Sequence, residues 1–383
     1  MKNLHCCIDD KFIDGAISLF EEDKQANNIY AIITSKKQTK YQYIKYKSII
    51  NLQTNDFLEY IQSEKFDAIY LHSLFCIEDL SLIKQIPTQI KVIWLSWGYD
   101  TYSYNYPLIK TNLYEPITRR FINKKVLSRL YTIKELLSYQ VFRKSEHLNA
   151  IKRIDFYSGI FPYEYDLIKA SLPEFKAIPI DFYYGSKDFF IKESVCKDYN
   201  EEQMKHIIIG NSGAETNNHL DILAELKKLT KKNWDKCIIP LSYCGSNEYK
   251  NEIEQRAKEL FKDNLVSLRS YLPMNEYLNL ISKCKTAIYL HNRQQASDNI
   301  FMQLNFGARV FMSSKSEMFR YLKKQGLKIY SFQDDFDLIN EPMNYTDVMI
   351  NREYLATNYS SSKLIQRVVE INKIVSTNKQ NEI

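Results

Sequence analysis

Glycine, histidine and tryptophan are rare in this chain of 383 residues, which contains nine, six and three of them. Glycine accepts a left-handed backbone and lets a ligand approach the main chain, so scarce glycines mark positions that need this freedom. Five of the nine, at positions 98, 210, 213, 245 and 307, fall within the motifs considered below. The abundance of Lys, Asn, Ile and Tyr is typical of a general compositional bias and indicates no function.

Cysteine motifs and long apolar runs are also missing. The seven cysteines are scattered and form no C-x-x-C pair, which argues against a disulfide framework and a structural zinc site. No apolar run approaches the roughly 18 residues that span a bilayer. The first residues, MKNLHCCIDDKF, include acids where a secretion signal is apolar. These patterns predict a cytoplasmic protein, and the chain length predicts two domains of roughly 150–200 residues.

Positive charge is concentrated in one segment. The net charge is +6, yet residues 119–153 alone carry ten Lys and Arg against two Glu. Apolar residues recur at positions 122, 126, 130, 133 and 137, which predicts a basic amphipathic helix. Such a segment is either a solvated face or a surface for anionic lipid headgroups, a diphosphate acceptor or nucleic acid.

Short β-branched or apolar runs alternate with amphipathic stretches, which predicts strand–helix units around parallel sheets. The predicted strands are NLHCCID, IYAIIT, FDAIYLH, IKVIWLSW, RIDFYSG and KAIPIDF, then HIIIG, KCIIPLSY, LVSLRSY, TAIYLH, ARVFM and KIYSF. The polar stretch FFIKESVCKDYNEEQMK between the two series predicts a linker. We therefore expect two α/β lobes at residues 1–190 and 200–345, and a helical tail at 346–383 that packs back toward the first lobe.

Two strand ends in the second lobe carry candidate anion-binding residues. In HIIIGNSGAETNNHLDIL, a strand runs into Gly210, Asn211, Ser212 and Gly213, and Asn217 lies near the start of the next helix. Free amides at a helix start attract phosphate, although an ordinary strand-to-helix turn has the same pattern. The motif is neither a Walker loop nor G-x-G-x-x-G, so P-loop and dinucleotide chemistry are poorly supported.

The second strand end, TAIYLHNRQQASDN, delivers Arg293, Gln294 and Gln295, with Asn299 in the following helix. Ligands of open α/β sheets bind at the carboxyl ends of the strands. An arginine offers a charge-assisted fork to a diphosphate, and glutamines hold sugar hydroxyls or phosphate oxygens. A capped surface turn also tolerates these residues. Two such loops in one lobe together predict a site for a nucleoside diphosphate.

The first lobe supplies polar residues at its own strand ends. VIWLSWGYDTY places Trp97, Gly98 and Asp100 after a strand, and His72 ends IYLH. Asp100 is a base or a cap, and a lone histidine is more often structural than catalytic. Asp9 and Asp10 close the first strand, where either acts as a base or caps the following helix.

Five segments in order carry a family resemblance: WLSWGYDTY, GNSGAETNNHLDIL, PLSYCGSNEYKNEIEQRAKELF, MNEYLNLISKCKTAIYLHNRQQ and LNFGARVFM. YLHSLF and NLYEPITRR are also similar, so that the resemblance spans residues 70–312. The chain resembles the bacterial TDP-N-acetylfucosamine:lipid II N-acetylfucosaminyltransferases, also described as 4-alpha-L-fucosyltransferases. Members of that family often have a glycine shortly after the glutamines, where this chain reads ASDN.

The resemblance implies a GT-B fold, with two Rossmann-like lobes that face each other across a cleft. It implies transfer of a sugar such as 4-acetamido-4,6-dideoxygalactose from its TDP derivative to a polyprenyl-diphosphate-linked saccharide. It places the protein on the inner face of the cytoplasmic membrane, with residues 119–153 on anionic lipid. Metal-independent enzymes of this fold stabilise the leaving diphosphate with a cation and helix amides, so we expect no metal and no cofactor.

The expected residues follow from these motifs and the resemblance together. The candidate catalytic residues are Asp10, His72, Asp100 and Arg293. The candidate nucleotide-sugar residues are Gly210, Asn211, Ser212, Gly213, Asn217, Tyr243, Leu272, Arg293, Gln294, Gln295 and Asn299. The base of the nucleotide is expected against SYLPMNEY, which contains Leu272. Two alternatives are a GT-B sugar-nucleotide epimerase, which needs no acceptor, and a nucleic-acid-binding protein, for which no recognised motif is present.

Overall fold

A computed structural model describes residues 1–35, 40–102, 108–124, 144–185 and 201–380. The chain divides into two compact units. Unit 1 comprises Met1–Lys110, Leu130–Ile191 and Tyr359–Ile383, and unit 2 comprises Thr111–Arg129 and Lys192–Asn358. Each unit contains one parallel sheet with helices, as the alternating sequence pattern predicts.

Unit 1 is built on seven parallel strands in the order β3-β2-β1-β4-β5-β6-β7. The strands are β1 Lys2–Cys7, β2 Asn27–Thr34, β3 Ile50–Gln53, β4 Ala68–His72, β5 Lys91–Leu95, β6 Phe156–Ser158 and β7 Ile178–Pro179. The central strands are nearly continuous apolar runs because helices cover both faces of a parallel sheet.

Unit 2 is built on six parallel strands in the order β10-β9-β8-β11-β12-β13. The strands are β8 His206–Ile209, β9 Lys236–Pro240, β10 Leu265–Leu268, β11 Cys284–Tyr289, β12 Arg309–Met312 and β13 Tyr330–Ser331. This is the strand order of a dinucleotide-binding Rossmann sheet, 3-2-1-4-5-6.

Helices connect the strands. Those of unit 1 are α1 Ile13–Phe20, α2 Phe57–Glu64, α3 Ser81–Gln85, α4 Tyr99–Tyr102, α6 Lys144–Lys152, α7 Tyr163–Ser171 and α14 Ser361–Gln380. Those within unit 2 are α5 Pro116–Asn123, α8 His219–Lys227, α9 Asn247–Phe261, α10 Met274–Ile281, α11 Ser297–Phe306 and α12 Glu317–Lys324. Helix α13, Tyr345–Tyr359, ends where the chain returns to unit 1. Within the described ranges, no helix is long and apolar enough to cross a membrane.

The grouping of residues 111–124 differs from the expected domain boundaries. These residues were expected in the first lobe, but they belong to unit 2. Ile117 and Phe121 of α5 rest against the core of unit 2, and Asp221 of α8 accepts the amides of Ile117 at 2.7 Å and Thr118 at 2.9 Å. A carboxylate that accepts the free amides of a helix start is a cap supplied from another element. We call residues 111–118 the strap.

The C-terminal helix α14 belongs to unit 1. The tail was expected to begin at residue 346, whereas the chain enters unit 1 again at Tyr359. Asn372 of α14 accepts a hydrogen bond from the Tyr70 hydroxyl at 2.6 Å and donates one to Asp23 at 2.7 Å. Both partners lie in unit 1, so buried polar contacts tie the end of the chain to that unit. The predicted linker lies partly, and the predicted basic helix mostly, outside the described residues.

Candidate functional site

The strand order of unit 2 reverses between β8 and β11, and ligands of open α/β sheets bind outside the carboxyl ends of the strands at such a point. Two loops begin there. Residues 210–217, which we call the glycine loop, follow β8, and residues 290–296, the arginine loop, follow β11. The amide of Gly210 donates to the carbonyl of Ile288 at 2.8 Å, so the glycine loop starts against the end of β11.

Asn217 organises the glycine loop. Its Oδ1 accepts the amide of Asn211 at 2.9 Å, and its Nδ2 donates to Ser212 Oγ at 3.1 Å and to the Ala214 carbonyl at 3.0 Å. The same Oδ1 lies 2.9 Å from His291 Nε2 of the arginine loop. One fully buried amide therefore fixes the glycine loop and joins it to the arginine loop.

A second polar contact joins the two loops. Gln295 Nε2 donates to Asn211 Oδ1 at 3.3 Å, and Gln295 Oε1 accepts the hydroxyl of Thr216 at 2.8 Å. Asn211 Nδ2 donates to the hydroxyl of Tyr243, 2.9 Å away, in the loop after β9. The structure thus brings together five of the expected residues, Asn211, Ser212, Asn217, Tyr243 and Gln295.

Two glycines are required by the backbone at this edge. Gly210 has φ +69°, and a methyl group there would lie 2.6 Å from His219 Nε2 and 2.7 Å from Asn217 Oδ1. Gly245 has φ +68°, and a methyl group there would overlap the carbonyl of Gly213. Gly213 donates its amide to the Tyr243 carbonyl at 2.9 Å. These glycines therefore lie where the backbone of the glycine loop closely approaches other residues, including the loop after β9.

Sequence reasoning missed two buried histidines, His219 and His291, which flank Asn217. Burial lowers the pKa of His219 to about 3. Burial, and then the nearby charge of Arg293, holds the pKa of His291 well below its usual value. Both rings are therefore neutral. Because Asn217 Oδ1 accepts, His291 carries its proton on Nε2, and its Nδ1 is an acceptor that has no hydrogen-bond partner among the described residues. The sequence signals for these residues were the two asparagines before His219 and the position of His291 just after strand β11.

Arg293 and Gln294 occupy the arginine loop itself. Arg293 is half-buried, and its guanidinium donates to the carbonyl of Gln294 at 2.8 Å, while the side chain of Gln294 is buried. Ala296, which directly precedes α11, has φ +62°, a left-handed conformation that usually requires glycine. This is the stretch in which the resembled family often has glycine.

The remaining two expected residues, Leu272 and Asn299, lie toward α10. Asn299 Oδ1 accepts the hydroxyl of Tyr277 at 2.9 Å. Burial first, and then the charge of Tyr243, raises the pKa of Tyr277. Tyr271, adjacent to the half-buried Leu272, is exposed and stacks on Tyr243 with ring centroids 6.2 Å apart. An exposed tyrosine that stacks on a half-buried one can hold the flat face of a base or sugar.

In unit 1 the strand order reverses between β1 and β4, which places the residues after those strands at one edge of the sheet. Asp100, in α4, is fully buried there. Its carboxylate accepts Leu74 N at 2.9 Å, Trp94 Nε1 at 2.8 Å, Ser96 Oγ at 2.8 Å and Trp97 N at 3.0 Å. Four donors occupy the lone pairs, so the geometry favours the capping alternative for Asp100 over the base.

His72 is held in a buried chain of polar groups. Its Nε2 lies 3.1 Å from His5 Nδ1, and its Nδ1 lies 2.9 Å from the hydroxyl of Tyr184. His5 Nε2 lies 3.2 Å from Asn28 Oδ1. Burial lowers the pKa of His72 to about 3, and burial with the neighbouring His72 lowers that of His5. These hydrogen-bonded histidines therefore stay neutral at physiological pH, and their geometry favours the structural alternative for His72.

The two acids after β1 differ in their surroundings. Asp9 accepts the amides of Gln42 at 2.6 Å, Tyr43 at 3.0 Å and Ile44 at 3.1 Å, so it caps a loop. Asp10 is half-buried, and its Oδ1 accepts the amide of Phe12 at 3.1 Å. Burial raises the pKa of Asp10, which brings this carboxylate closer to the pH at which it can take up a proton.

Aromatic rings surround this edge of unit 1. Trp97 meets Phe12 at 5.9 Å, Tyr99 at 6.3 Å and Tyr184 at 5.4 Å between ring centroids, each edge to face. Tyr99 is 38% exposed, and Gly98 has φ +78°, which turns the chain between Trp97 and Tyr99. Such rings stack well on the apolar faces of sugars. Among the described residues, no three His, Cys, Asp or Glu side chains form a metal-binding group.

Residues 181–351 match the sequence model of the family described as 4-alpha-L-fucosyltransferase glycosyl transferase group 56. The match contains the glycine loop and the arginine loop of unit 2. It confirms the family resemblance over these residues, whereas the similar motifs before residue 181 lie outside it.

Solved structures with the same fold cover nearly the whole chain. The Anabaena protein HepE in complex with UDP has a TM-score of 0.64 at 9% identity, over 97% of this chain and 99% of that one. The lipopolysaccharide outer core galactosyltransferase WaaB has a TM-score of 0.61 at 10% identity, over 98% and 100%. An alpha,alpha-trehalose-phosphate synthase (UDP-forming) from Burkholderia xenovorans has a TM-score of 0.61 at 7% identity, over 98% and 99%. These likenesses confirm the α/β GT-B fold with two Rossmann-like domains.

The fucosyltransferase-family match and the GT-B fold together support sugar transfer. The fold by itself does not specify a substrate, because unrelated activities share it.

Proposed function

We propose that the protein transfers a deoxyamino sugar, such as 4-acetamido-4,6-dideoxygalactose, from a TDP-sugar to a polyprenyl-diphosphate-linked saccharide. The observation that carries this proposal is the joined pair of loops at the strand reversal of unit 2. Asn217 and Gln295 connect the glycine loop to the arginine loop, which contains the guanidinium of Arg293. HepE binds UDP and WaaB is a galactosyltransferase, which is consistent with a sugar-nucleotide donor here.

The chemical step needs a stabilised leaving group. As the bond between the anomeric carbon and the diphosphate oxygen breaks, negative charge grows on the diphosphate. We assign the neutralisation of this charge to Arg293, because the buried His219 and His291 are neutral and supply no positive charge. His291 Nδ1 is an acceptor, and it is suited to a hydroxyl of the donor.

The acceptor oxygen attacks the anomeric carbon and gives up its proton. We assign the proton to Asp10, since its pKa is raised by burial while Asp9 and Asp100 accept several hydrogen bonds each. The aromatic rings around Trp97 are suited to the acceptor saccharide. Arg119 and Arg120 of α5 and Lys124 directly after it are exposed, which supports attraction to anionic lipid near a lipid-linked acceptor.

Arg293→Ala tests the donor site. Arg320→Ala is the matched control, because Arg320 is an exposed arginine of α12 paired with Glu317. Titration calorimetry with TDP, UDP and GDP should show TDP binding that is about tenfold weaker or worse in Arg293→Ala and unchanged in Arg320→Ala, since a charge-assisted contact contributes about 1.5–3 kcal/mol. Undiminished binding of every nucleotide by Arg293→Ala would refute the assignment.

A transfer assay tests the reaction itself. Labelled TDP-sugar is incubated with a lipid-linked saccharide in anionic or neutral vesicles, and with no acceptor. Product on the lipid, with more product on anionic vesicles, supports the proposal. A changed sugar nucleotide in the absence of acceptor would instead indicate an epimerase.

A further inference from the structure

The strap is anchored to unit 2 beside the arginine loop. Asn218, fully buried with φ +55°, accepts the amide of Glu115 at 2.8 Å through Oδ1. Its Nδ2 donates to the carbonyl of Leu113 at 3.2 Å and to that of Leu290, the first residue of the arginine loop, at 2.7 Å. One side chain therefore joins the strap to the arginine loop.

The second anchor is Asn292, inside the arginine loop and adjacent to Arg293. Its Nδ2 donates to the carbonyl of Asn112 at 3.0 Å and to Glu115 Oε1 at 2.7 Å. Its Oδ1 accepts the hydroxyl of Ser313 at 2.6 Å, and its carbonyl accepts the hydroxyl of Thr111 at 3.2 Å. Asn292 is only 5% exposed, so its orientation is set by the strap on one side and by the end of β12 on the other.

Glu115 is the charged centre of this arrangement. Its side chain is 9% exposed, and Lys315 Nζ lies 2.8 and 2.7 Å from its two carboxylate oxygens. The side chain of Lys315 is 56% exposed, so the ion pair is partly in water and adds little net stability, while the buried carboxylate of Glu115 keeps its hydrogen bond to Asn292. A carboxylate between Asn292 and Lys315 is therefore better explained by orientation than by stability.

Resting on the proposed function, we infer that Glu115 is a positioning residue for the donor site. It holds Asn292, and with it the backbone that carries Arg293, in the orientation in which the guanidinium meets the diphosphate. The part of the chain that precedes α5 thus completes the donor site of unit 2 without touching the nucleotide.

The test compares Glu115→Ala and Glu115→Gln with Asp221→Ala. Glutamine keeps an oxygen for Asn292, whereas alanine removes it. Asp221 holds the same strap at Ile117 and Thr118, so its loss controls for loosening of α5. Two quantities are measured in the full chain: the dissociation constant for TDP, and amide hydrogen exchange of peptides that cover residues 290–296.

Glu115→Ala should exchange about tenfold faster at residues 290–296 and bind TDP about tenfold more weakly, while Glu115→Gln stays near the wild type on both. Asp221→Ala should lower thermal stability and leave both quantities unchanged. The inference is overturned if exchange at 290–296 in Glu115→Ala equals that of the wild type, or if Asp221→Ala has the same effect.

Two further outcomes remain decisive. If the wild type binds no nucleoside diphosphate, the proposed function fails, while the exchange comparison still decides whether Glu115 orders the arginine loop. If Glu115→Ala does not fold, Asn292→Ala removes the same hydrogen bond from the other side. Amide hydrogen exchange is then measured in the same peptides, and exchange equal to that of the wild type would refute the inference.

Discussion

Replacement of Asp100 by alanine should destabilise unit 1 and leave the proposed nucleotide binding by unit 2 intact. The buried carboxylate accepts four hydrogen bonds of 2.8–3.0 Å from residues after β4, within β5 and between β5 and α4. At about 1.5–3 kcal/mol for each bond to a charged group, simple addition gives roughly 6–12 kcal/mol. Bonds to one group are not additive, and measured losses for breaking buried charged networks are about 3–5 kcal/mol. We expect a loss of about 3–5 kcal/mol in the free energy of unfolding.

The assay uses the distribution of the three tryptophans. Trp94 and Trp97 lie in unit 1 and Trp234 lies in unit 2, so a Trp234→Phe background confines the fluorescence signal to unit 1. Urea unfolding of Asp100→Ala and Asp100→Asn in this background gives the loss directly. Asparagine keeps one acceptor oxygen, but its amide group faces other donors. The loss of unfolding free energy in Asp100→Asn should therefore be smaller than in Asp100→Ala and still above about 1 kcal/mol.

The outcome separates the cap from the base. An Asp100→Ala protein that unfolds at the wild-type urea concentration but transfers no sugar would refute the structural account and restore Asp100 as a catalytic group. Loss of stability with unchanged affinity for TDP supports the cap.

The backbone at the donor loops gives two more predictions. Gly210→Ala should cost more than about 2 kcal/mol of stability and abolish TDP binding, because the added methyl group meets two side chains. The control Gly326→Ala has φ +92° and nothing within 4 Å, so it should cost only the left-handed strain of about 1–2 kcal/mol. Equal losses of the two variants in urea unfolding would contradict this. Ala296→Gly should raise the free energy of unfolding by about 0.5–1 kcal/mol, because glycine relieves the strain of φ +62° at the start of α11; a destabilised variant would show that the backbone is not strained there.

The strands were largely predictable because parallel sheets buried on both faces leave apolar runs in the sequence. All twelve predicted strands occur, and the structure adds β3, Ile50–Gln53, which sits at the sheet edge with a half-polar sequence. Helix α13 lies within the tail that was expected to be helical from residue 346, although the apolar residues in YTDVMINREYLATNY do not recur on one face. The edge strand takes its conformation from packing that the local pattern does not record.

The candidate site was predictable where its chemistry lies in consecutive residues. The glycine loop and the arginine loop each follow a recognisable strand, and parallel strands end at one edge of a sheet. Contacts between distant residues were not predictable: His72 pairs with His5, 67 residues away, and Glu115 with Lys315, 200 residues away. A polar residue after a strand is typical of both catalysis and capping, and only its partners distinguish the two.

Asparagine is abundant in the composition, which indicated no function, yet it provides much of the order in the glycine loop and the arginine loop. Asn211, Asn217, Asn218 and Asn292 are 0–8% exposed, and each both donates and accepts hydrogen bonds that fix a loop. An amide holds a loop without bringing a charge, so it neither repels a diphosphate, as a carboxylate would, nor competes with a guanidinium, as a lysine would. With two neutral histidines beside them, these amides leave the local electrostatics of the arginine loop to Arg293. Loops that are held by neutral amides in this way are suited to the anionic donor that we propose.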